Sequence, residues 1–317
     1  MVSAQSDGPI IVSAPATSAN LGSGFDTAGI ALDWWDTLRV TPRDGSPGDL
    51  AVKTSGEESQ TIPAGRDNVL IEAMLRFADE VGRKLPALSL ELELGFPLGR
   101  GFGSSATGIA LGLVAARELL APDLANAELF ELASQVEGHP DNVAPCLFGG
   151  ATLCWNEQGI PRHHSLQIHP DLAAFALISP KPMGTKTARQ ILPNTVSFAD
   201  ATWTAGRAAL LPLALAGAFD LLRPATDDVL HQKRRLASWP DASRALGTLR
   251  ARGHAAFVSG AGPSLLVLCA RRELQRVQLD AEKACQEASG WRLRAVDPLR
   301  GAGAQRRLAC RASAVRA

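Results

Sequence analysis

The stretch PLGRGFGSSATG, residues 97–108, has the composition of a segment that approaches a neighbour through its backbone. Glycines stand at positions 99, 101 and 103, two serines follow, and no lysine lies among them. Glycine tolerates positive φ, so that backbone N–H groups can come close to a ligand. If the serines open a helix, its free N–H groups and positive dipole end attract phosphate oxygens.

Three interpretations of this loop stay open when it is considered alone. GFGSSA matches the dinucleotide pattern G-x-G-x-x-A between a strand and a helix. The loop could instead hold phosphate in another way, or be a glycine-rich turn that packs strand against helix. A Walker loop is excluded because no G-K-[ST] follows. The glycines come well after the strand has ended, which weighs against the tight turn of dinucleotide sites.

Three other segments concentrate small and polar residues: PATSANLGSGFD (15–26), VEGHPDNVAPCLFGG (136–150) and VSGAGPSLLVLC (258–269). Singly, each is consistent with an ordinary turn, a helix C-cap or a tight connection. The second is unusually rich in functional groups, with four in six residues: Glu137, His139, Asp141 and Asn142. Such density favours a site over a simple helix stop.

Hydrophobic patterning places regular elements around these loops. Leucines at 88, 90, 92 and 94 alternate with polar residues, which predicts a strand with one buried face. Residues 104–120 predict a mostly apolar helix. Gly108 and Gly112 share one face of it, so another element can pack closely there.

The remaining pattern indicates further helices and strands in an α+β mixture. Residues 126–138 predict a helix with Asn126 as N-cap and Gly138 at its end. Helical patterns also fill 200–222 and 274–288, between apolar segments that predict strands. The pattern restarts near residue 165, which indicates two domains.

Composition excludes several classes of protein. The 317 residues carry 32 basic and 32 acidic side chains, so neither nucleic acid nor an anionic membrane is an expected partner. The five cysteines include no C-x-x-C pair, which disfavours a zinc ribbon or a disulfide framework. With no signal segment at the N-terminus, these features predict a cytoplasmic protein.

Taken together, the four motifs resemble those of the GHMP kinases. PLGRGFGSSA is similar to the family's phosphate loop, P-x-x-x-G-x-G-S-S-A, with Phe102 where leucine is usual. PATSANLGSGFD, EGHPDNVAP, TKTARQILP and SGAGPS are most similar to the homoserine kinases within that family. The resemblance runs from about residue 11 to about residue 300.

The resemblance implies a two-domain α+β GHMP kinase fold. Residues 1–165 would form a ribosomal-protein-S5-domain-2-like domain with the phosphate loop, and residues 166–317 a ferredoxin-like domain. The implied activity transfers the γ-phosphoryl group of ATP, with Mg²⁺, to the hydroxyl of L-homoserine, for threonine biosynthesis. The family also suggests a homodimer.

Three alternatives are kept beside this interpretation. One is a GHMP kinase of another small alcohol, such as mevalonate or shikimate. The second is a nucleotide-binding protein of this fold without turnover. The third and most remote is a dehydrogenase.

The resemblance assigns the nucleotide to the whole glycine loop. The residues expected to bind ATP are Pro97, Leu98, Gly99, Arg100, Gly101, Phe102, Gly103, Ser104, Ser105, Ala106 and Thr107. Mg²⁺ prefers a few oxygen ligands beside phosphate oxygens, so Ser104 and Glu137 are expected at the metal, with Ser105 as the alternative hydroxyl.

Homoserine carries an ammonium, a carboxylate and the accepting hydroxyl. Asp26 and Asn20 suit the ammonium and hydroxyl end, and Arg189 suits the carboxylate because a guanidinium binds it bidentately. A second arginine is expected in DDVLHQKRRLASWP, where Arg235 is favoured over Arg234. The expected substrate-binding residues are Asn20, Asp26, His139, Asn142, Arg189 and Arg235.

The general base is the open question of the chemistry. Some relatives use an aspartate, but the corresponding loop here ends in Asn142, whose amide is no base near neutral pH. Asp141 is adjacent, and His139 titrates in the useful range. The resemblance implies that no strong base acts, since a loose transition state lets the hydroxyl lose its proton late. The expected catalytic residues are Asn142, Asp141 and Arg189.

Overall fold

The computed structural model of the protein describes residues 9–63, 65 and 67–307. Within these residues, seven strands form one sheet and four strands form a second. Helices pack on both sheets, as the mixed hydrophobic patterning predicts. Among the helices of this described part, none is both long and apolar enough to cross a bilayer.

The N-terminal part contains, in chain order, β1 (Ile10–Ala19), β2 (Ala28–Pro42), β3 (Leu50–Gly56), α1 (Val69–Glu80), β4 (Leu88–Leu94), α2 (Ser104–Leu120), α3 (Asn126–Glu137), α4 (Pro140–Phe148), β5 (Ala151–Glu157) and β6 (Ile160–Leu166). The chain continues with β7 (Leu172–Ile178), α5 (Thr185–Gln190), α6 (Phe198–Ala208), α7 (Leu211–Leu215), α8 (Leu222–Ala225), α9 (Gln232–Leu236), α10 (Pro240–Ala251), β8 (Ala255–Val258), β9 (Leu265–Ala270), α11 (Leu274–Gln286), β10 (Arg292–Ala295) and β11 (Gln305–Arg307).

The first sheet has the strand order β11-β1-β2-β4-β3, and β5 and β6 extend it beside β2. The second sheet has the order β10-β7-β9-β8. The chain leaves the first sheet after residue 166, bridges β2 again where Pro298 meets Leu32, and pairs with β1 in β11. The domain limits 1–165 and 166–317 stay a prediction, and their ends at residues 1–8 and 308–317 lie outside the described residues.

The core of the first sheet confirms the two clearest sequence patterns. In β4 the four leucines are buried, whereas Glu91 and Glu93 are exposed. Helix α2 spans the predicted residues and packs on α1 at its two glycines. A Cβ added to Gly112 would lie 2.4 Å from the carbonyl oxygen of Leu70, so the two helices meet closer than any side chain allows.

A second core joins the two sheets. Leu172, Ala174, Ala176 and Ile178 of β7 face a cluster that also contains Trp34 of β2 and Phe102 of the glycine loop. The alternate residues of β7 face α10 and α11 on the other side of the second sheet. The glycine loop therefore lies at the junction of the two sheets, partly inside a shared core.

Two local expectations need correction, the N-cap of α3 and the helix over 200–222, and one segment left open by the sequence is resolved. The N-cap of α3 is Ala125, and Asn126 is the first helical residue, whose side chain accepts a hydrogen bond from Arg117 instead. The segment after Gly138 is a helix, α4, since proline is well tolerated in a first helical turn. The pattern over 200–222 is broken into short helices, because Pro212 and the glycine at 217 interrupt it.

The tight contact between α1 and α2 leads to a stability prediction. We expect Gly112→Ala to lower the free energy of unfolding by about 1–3 kcal/mol, since the new methyl group would overlap the Leu70 carbonyl. Gly247→Ala in α10 is the matched control, because nothing lies within 4 Å of its added Cβ. Alanine is the better helix former, so the control should gain roughly 0.5–1 kcal/mol. Equal effects in urea unfolding would contradict the close-packing account.

Candidate active site

Six segments that are distant in the sequence meet at one polar cavity beside the glycine loop. The cavity holds about 550 Å³, counting its open mouth. The side chains that line it include Asn20, Asp26, Ser104, Ser105, Glu137, His139, Asp141, Asn142, Arg189 and Arg235. The residues selected from the sequence for substrate, metal and catalysis thus lie together, although their individual roles stay predictions.

The three glycines of the loop have positive φ, at 62°, 87° and 69° for Gly99, Gly101 and Gly103. A Cβ on Gly101 would lie 2.1 Å from the carbonyl oxygen of Ser259, and one on Gly103 would lie 1.9 Å from Thr17 Oγ1. The sequence predicted that the loop backbone comes close to a neighbour. At these two positions the neighbour is another segment of the protein. The loop is therefore held in shape before any ligand binds.

Helix α2 begins at the cavity and presents its N-terminus to it. Among the described residues, the N–H groups of Ser104, Ser105 and Ala106 have no hydrogen-bond acceptor. Three free N–H groups at the positive end of a 17-residue helix form an anion site of the kind that binds phosphate. The Ser104 hydroxyl accepts a bond from Gly99 N–H at 3.3 Å, across the mouth of the loop.

Two side chains of the loop turn away from the cavity. Arg100 is buried and donates hydrogen bonds to the carbonyl oxygens of Leu98 and Ser179, at 2.7 and 2.9 Å, and it pairs with Glu58. Phe102 packs on Trp34 with ring centroids 5.5 Å apart. These two positions can offer a ligand only their backbone groups, because the side chain of Arg100 holds the loop to the end of β7 and that of Phe102 packs on β2.

The carboxylate that forms a hydrogen bond to the start of α2 is that of Glu137, at the end of α3. Ser105 Oγ donates to Glu137 Oε2 at 2.6 Å. Burial raises the pKa of Glu137, and the bond from Ser105 opposes the shift only in part. The hydroxyl that accompanies Glu137 is therefore that of Ser105, whereas Ser104 was the residue first expected there.

The start of α4 carries the polar groups of the EGHPDN segment. His139 Nδ1 lies 2.8 Å from Asp141 Oδ1, and Asp141 is only 2% exposed. Burial opposes protonation of His139, but the hydrogen bond and charge of Asp141 outweigh it and raise the His139 pKa. Asn142 accepts a hydrogen bond from Thr17 Oγ1 at 2.8 Å, so that its amide orientation is set by β1.

Opposite charges face each other across the mouth of the cavity. Both Arg189 Nη atoms donate to the Asp26 carboxylate at 2.9 Å, and both side chains are partly exposed. The hydrogen bond to Asp26 raises the pKa of Arg189. Asn20 is nearly buried, and its amide accepts from Asp26 N–H at 3.0 Å and donates to Gly260 O at 2.8 Å.

Arg235 is a buried cation at the wall of the cavity, with 2% of its surface exposed. Its guanidinium donates to the carbonyl oxygens of Gly260 at 2.9 Å and Ala188 at 3.4 Å. No carboxylate of residues 9–63, 65 and 67–307 forms an ion pair with it. Burial lowers its pKa to about 10. The neighbouring Arg234 is exposed, so Arg235 is the arginine that faces the cavity.

A second, apolar cavity adjoins the other side of the glycine loop. It holds about 660 Å³, counting its mouth, and shares Ser104 and Ser105 with the polar cavity. Its apolar lining comes from separate segments: Ile62, Pro63, Val69, Leu92, Leu94, Leu98 and Leu111. Asp36 also lines this cavity, and burial raises its pKa to about 7 although Gly95 N–H donates a hydrogen bond to it at 2.8 Å.

Sequence reasoning missed this apolar cavity and the contacts of the turn after β8. The leucines of β4 and α2 had the pattern of ordinary core residues, so nothing marked them as a cavity wall. In the turn, Ser259 Oγ donates to Gly101 O at 2.7 Å, and Gly260 O accepts from both Asn20 and Arg235. The SGAGPS motif was the only signal of this turn.

Comparison with known proteins gives consistent matches. The family model for the GHMP kinases N terminal domain matches residues 68–150. The homoserine kinase of Leifsonia xyli subsp. xyli is 42% identical over 284 residues, covering 89% of this chain and 87% of that protein. The homoserine kinase of Clavibacter michiganensis subsp. michiganensis is 43% identical over 259 residues, covering 81% of each chain.

The fold agrees with these matches. The crystal structure of homoserine kinase from Cytophaga hutchinsonii superposes with a TM-score of 0.83 at 25% identity, over 97% of this chain and 100% of that one. The expected two-domain α+β fold of the GHMP kinases is confirmed. Identities near 40% over most of both chains show more than a shared fold. The chain belongs to the homoserine kinases of the GHMP kinase family.

Proposed function

We propose that this protein is an ATP-dependent kinase that transfers the γ-phosphoryl group to the hydroxyl of L-homoserine, giving O-phospho-L-homoserine for threonine biosynthesis. One observation carries the proposal beside the family membership. The free N–H groups at the start of α2 separate an apolar cavity from a cavity lined by opposite charges. In this order, the three features suit the base of a nucleotide, its polyphosphate and a zwitterionic amino acid.

The nucleotide would lie across the glycine loop. Its base and ribose suit the apolar cavity, and its phosphates suit the N–H groups of Ser104, Ser105 and Ala106. No cluster of three or more acidic, cysteine or histidine ligands occurs among the described residues, so a cation would be bound mainly through the phosphates. Glu137 with Ser105, or with Ser104 as first expected, would hold Mg²⁺, which neutralises phosphate charge.

The amino acid would lie in the polar cavity, with its charges matched one by one. Asp26 suits the ammonium, and Arg189 and Arg235 suit the carboxylate. Arg235 supports this choice most strongly, because a buried guanidinium without a carboxylate partner is costly unless an anion binds it. Asn20 would act by shaping the loop around Asp26, since both polar atoms of its amide already have partners.

A different small alcohol fits less well. Mevalonate and shikimate carry a carboxylate but no ammonium. Either one would draw Arg189 away from Asp26 without offering Asp26 a new positive charge. A protein that only binds nucleotide would have no need for the polar set around Arg235. The implied homodimer and the cytoplasmic location stay predictions.

The hydroxyl end would lie between His139 and Asn142, near the start of α2. Asn142 would orient the hydroxyl through its amide, which Thr17 holds in place. We infer that the hydroxyl proton leaves late, toward phosphate oxygen, without a strong side-chain base. The carboxylate of Asp141 is already hydrogen-bonded to His139. This contact favours a role in holding His139 over a role as the base that takes the hydroxyl proton.

A substrate screen tests the proposal directly. With ATP and Mg²⁺, we expect homoserine to stimulate ADP release far more than mevalonate, shikimate or threonine does, because only homoserine offers both charges and a primary hydroxyl. A coupled ADP-release assay measures this. Faster turnover of mevalonate or shikimate, or nucleotide binding without any turnover, would replace the proposal by the corresponding alternative.

Removal of either arginine of the polar cavity should weaken the binding of homoserine selectively. We expect Arg189→Ala and Arg235→Ala each to raise KM for homoserine about ten- to a hundredfold, the cost of a lost charge-assisted bond. KM for ATP should change little. Arg234→Ala is the matched control, since this neighbour of Arg235 is exposed and should leave both constants unchanged. Equal rises in both KM values would argue against a carboxylate site at these arginines.

Substitution of Asp141 distinguishes between two roles for this residue, that of holding His139 and that of general base. We expect Asp141→Asn to lower kcat by less than about tenfold, whereas loss of a general base costs 10² to 10⁴. The variant should also lower the pKa of His139, because burial opposes its protonation once the carboxylate is gone. A pH–rate profile and NMR titration of the imidazole measure the two effects. A kcat loss of several orders of magnitude would mean that Asp141 is the base.

A further inference from the structure

Arg235 is held by an unusual set of partners for a buried cation. Besides two carbonyl oxygens, its Nη1 contacts Nδ1 of His231 at 3.2 Å, one helical turn away. His231 is fully buried, and its Nε2 lies 2.8 Å from the carbonyl oxygen of Gly22. The imidazole therefore connects the helix that carries Arg235 to the loop that carries Asp26.

The proton position on His231 follows from its partners. A guanidinium only donates hydrogen bonds, so Nδ1 must accept and carry no proton. A carbonyl oxygen only accepts, so Nε2 must carry the proton and donate to Gly22. Burial lowers the pKa of His231, in agreement with a neutral ring. The nearby carboxylate of Asp228 favours the charged ring, but it already accepts bonds from the N–H groups of Leu230, His231 and Gln232.

An aromatic contact extends this arrangement to the charged residues of the cavity. Phe25 stacks on His231 with ring centroids 5.0 Å apart and planes 25° apart. The guanidinium carbons of Arg235 and Arg189 lie 5.6 and 5.8 Å from the same Phe25 ring. Phe25 directly precedes Asp26, so the ring that contacts both cations belongs to the same loop as the anion.

We propose that His231 is a positioning residue for substrate recognition, which directs the Arg235 guanidinium toward the substrate carboxylate while keeping the Asp26 loop at a matching distance. The inference rests on the proposed function, because it needs a carboxylate to bind at Arg235. His231 lies behind Arg235 and does not line the cavity, so it acts only through its neighbour.

Two substitutions separate the two hydrogen bonds of the ring. In His231→Asn, the amide reaches the place of Nδ1 and can still accept from Arg235. In His231→Gln, the amide reaches the place of Nε2, so it can donate to Gly22 but leaves Arg235 without that acceptor. Both variants lose the stack with Phe25, and each is therefore the control of the other.

We expect His231→Gln to raise KM for homoserine by at least about tenfold, and His231→Asn to raise it clearly less. The competitive inhibition constant of 3-aminopropan-1-ol, which is homoserine without its carboxylate, should change less than about twofold in both. KM for ATP should also stay unchanged. Equal weakening of homoserine and 3-aminopropan-1-ol in the two variants would overturn the proposal in favour of a merely structural histidine.

Two further measurements keep the result unambiguous. The ¹⁵N shifts of the His231 ring in the wild-type protein should report a neutral ring with the proton on Nε2, and a doubly protonated ring at neutral pH would overturn the proposal even if a variant does not fold. Wild-type protein in the same assay tests the proposed function separately. Without homoserine-dependent ADP release there, the function itself fails.

Discussion

The organisation of the site depends on one steric constraint, the close approach of the glycine loop to a backbone carbonyl group on one side and to a threonine side chain on the other. At Gly101 and Gly103 the loop lies so close to Ser259 and Thr17 that no Cβ fits. The loop is thereby held between β1 of the first sheet and the turn after β8 of the second. Because α2 starts directly after it, the free N–H groups of that helix point to the junction of the sheets, where both cavities open.

At the same junction, the charged residues lie at two different depths. Asp26 and Arg189 neutralise each other across the mouth of the polar cavity, where water also reaches them, so separating them costs little. Arg235 lies deeper, and dipoles of carbonyl groups and a neutral imidazole surround it instead of a carboxylate. The ammonium of a zwitterion can replace Arg189 as the partner of Asp26. Its carboxylate can then bind Arg235, which has no carboxylate partner of its own among the described residues. Selectivity would then come from matching both charges at once.

The hydroxyl end of the cavity contrasts with this charged end. Its two candidate bases, His139 and Asp141, bond to each other, and Asn142 is held by Thr17. Such groups are well suited to orient a hydroxyl, and phosphoryl transfer depends more on position and charge than on proton removal. These side chains belong to the start of α4, where proline at the first position favours the helical backbone.

The sequence by itself determined the local elements and the family: alternation in β4, the limits of α2, and four motifs whose order identifies a GHMP kinase. It determined these because period and turn chemistry are properties of neighbouring residues. Only the tertiary structure decided that Arg235 and not Arg234 faces the cavity, that Ser105 meets Glu137, and that core-like leucines line a second cavity. Each of these depends on which distant backbone a side chain meets after the sheets pack, and spacing along the chain carries no information about that.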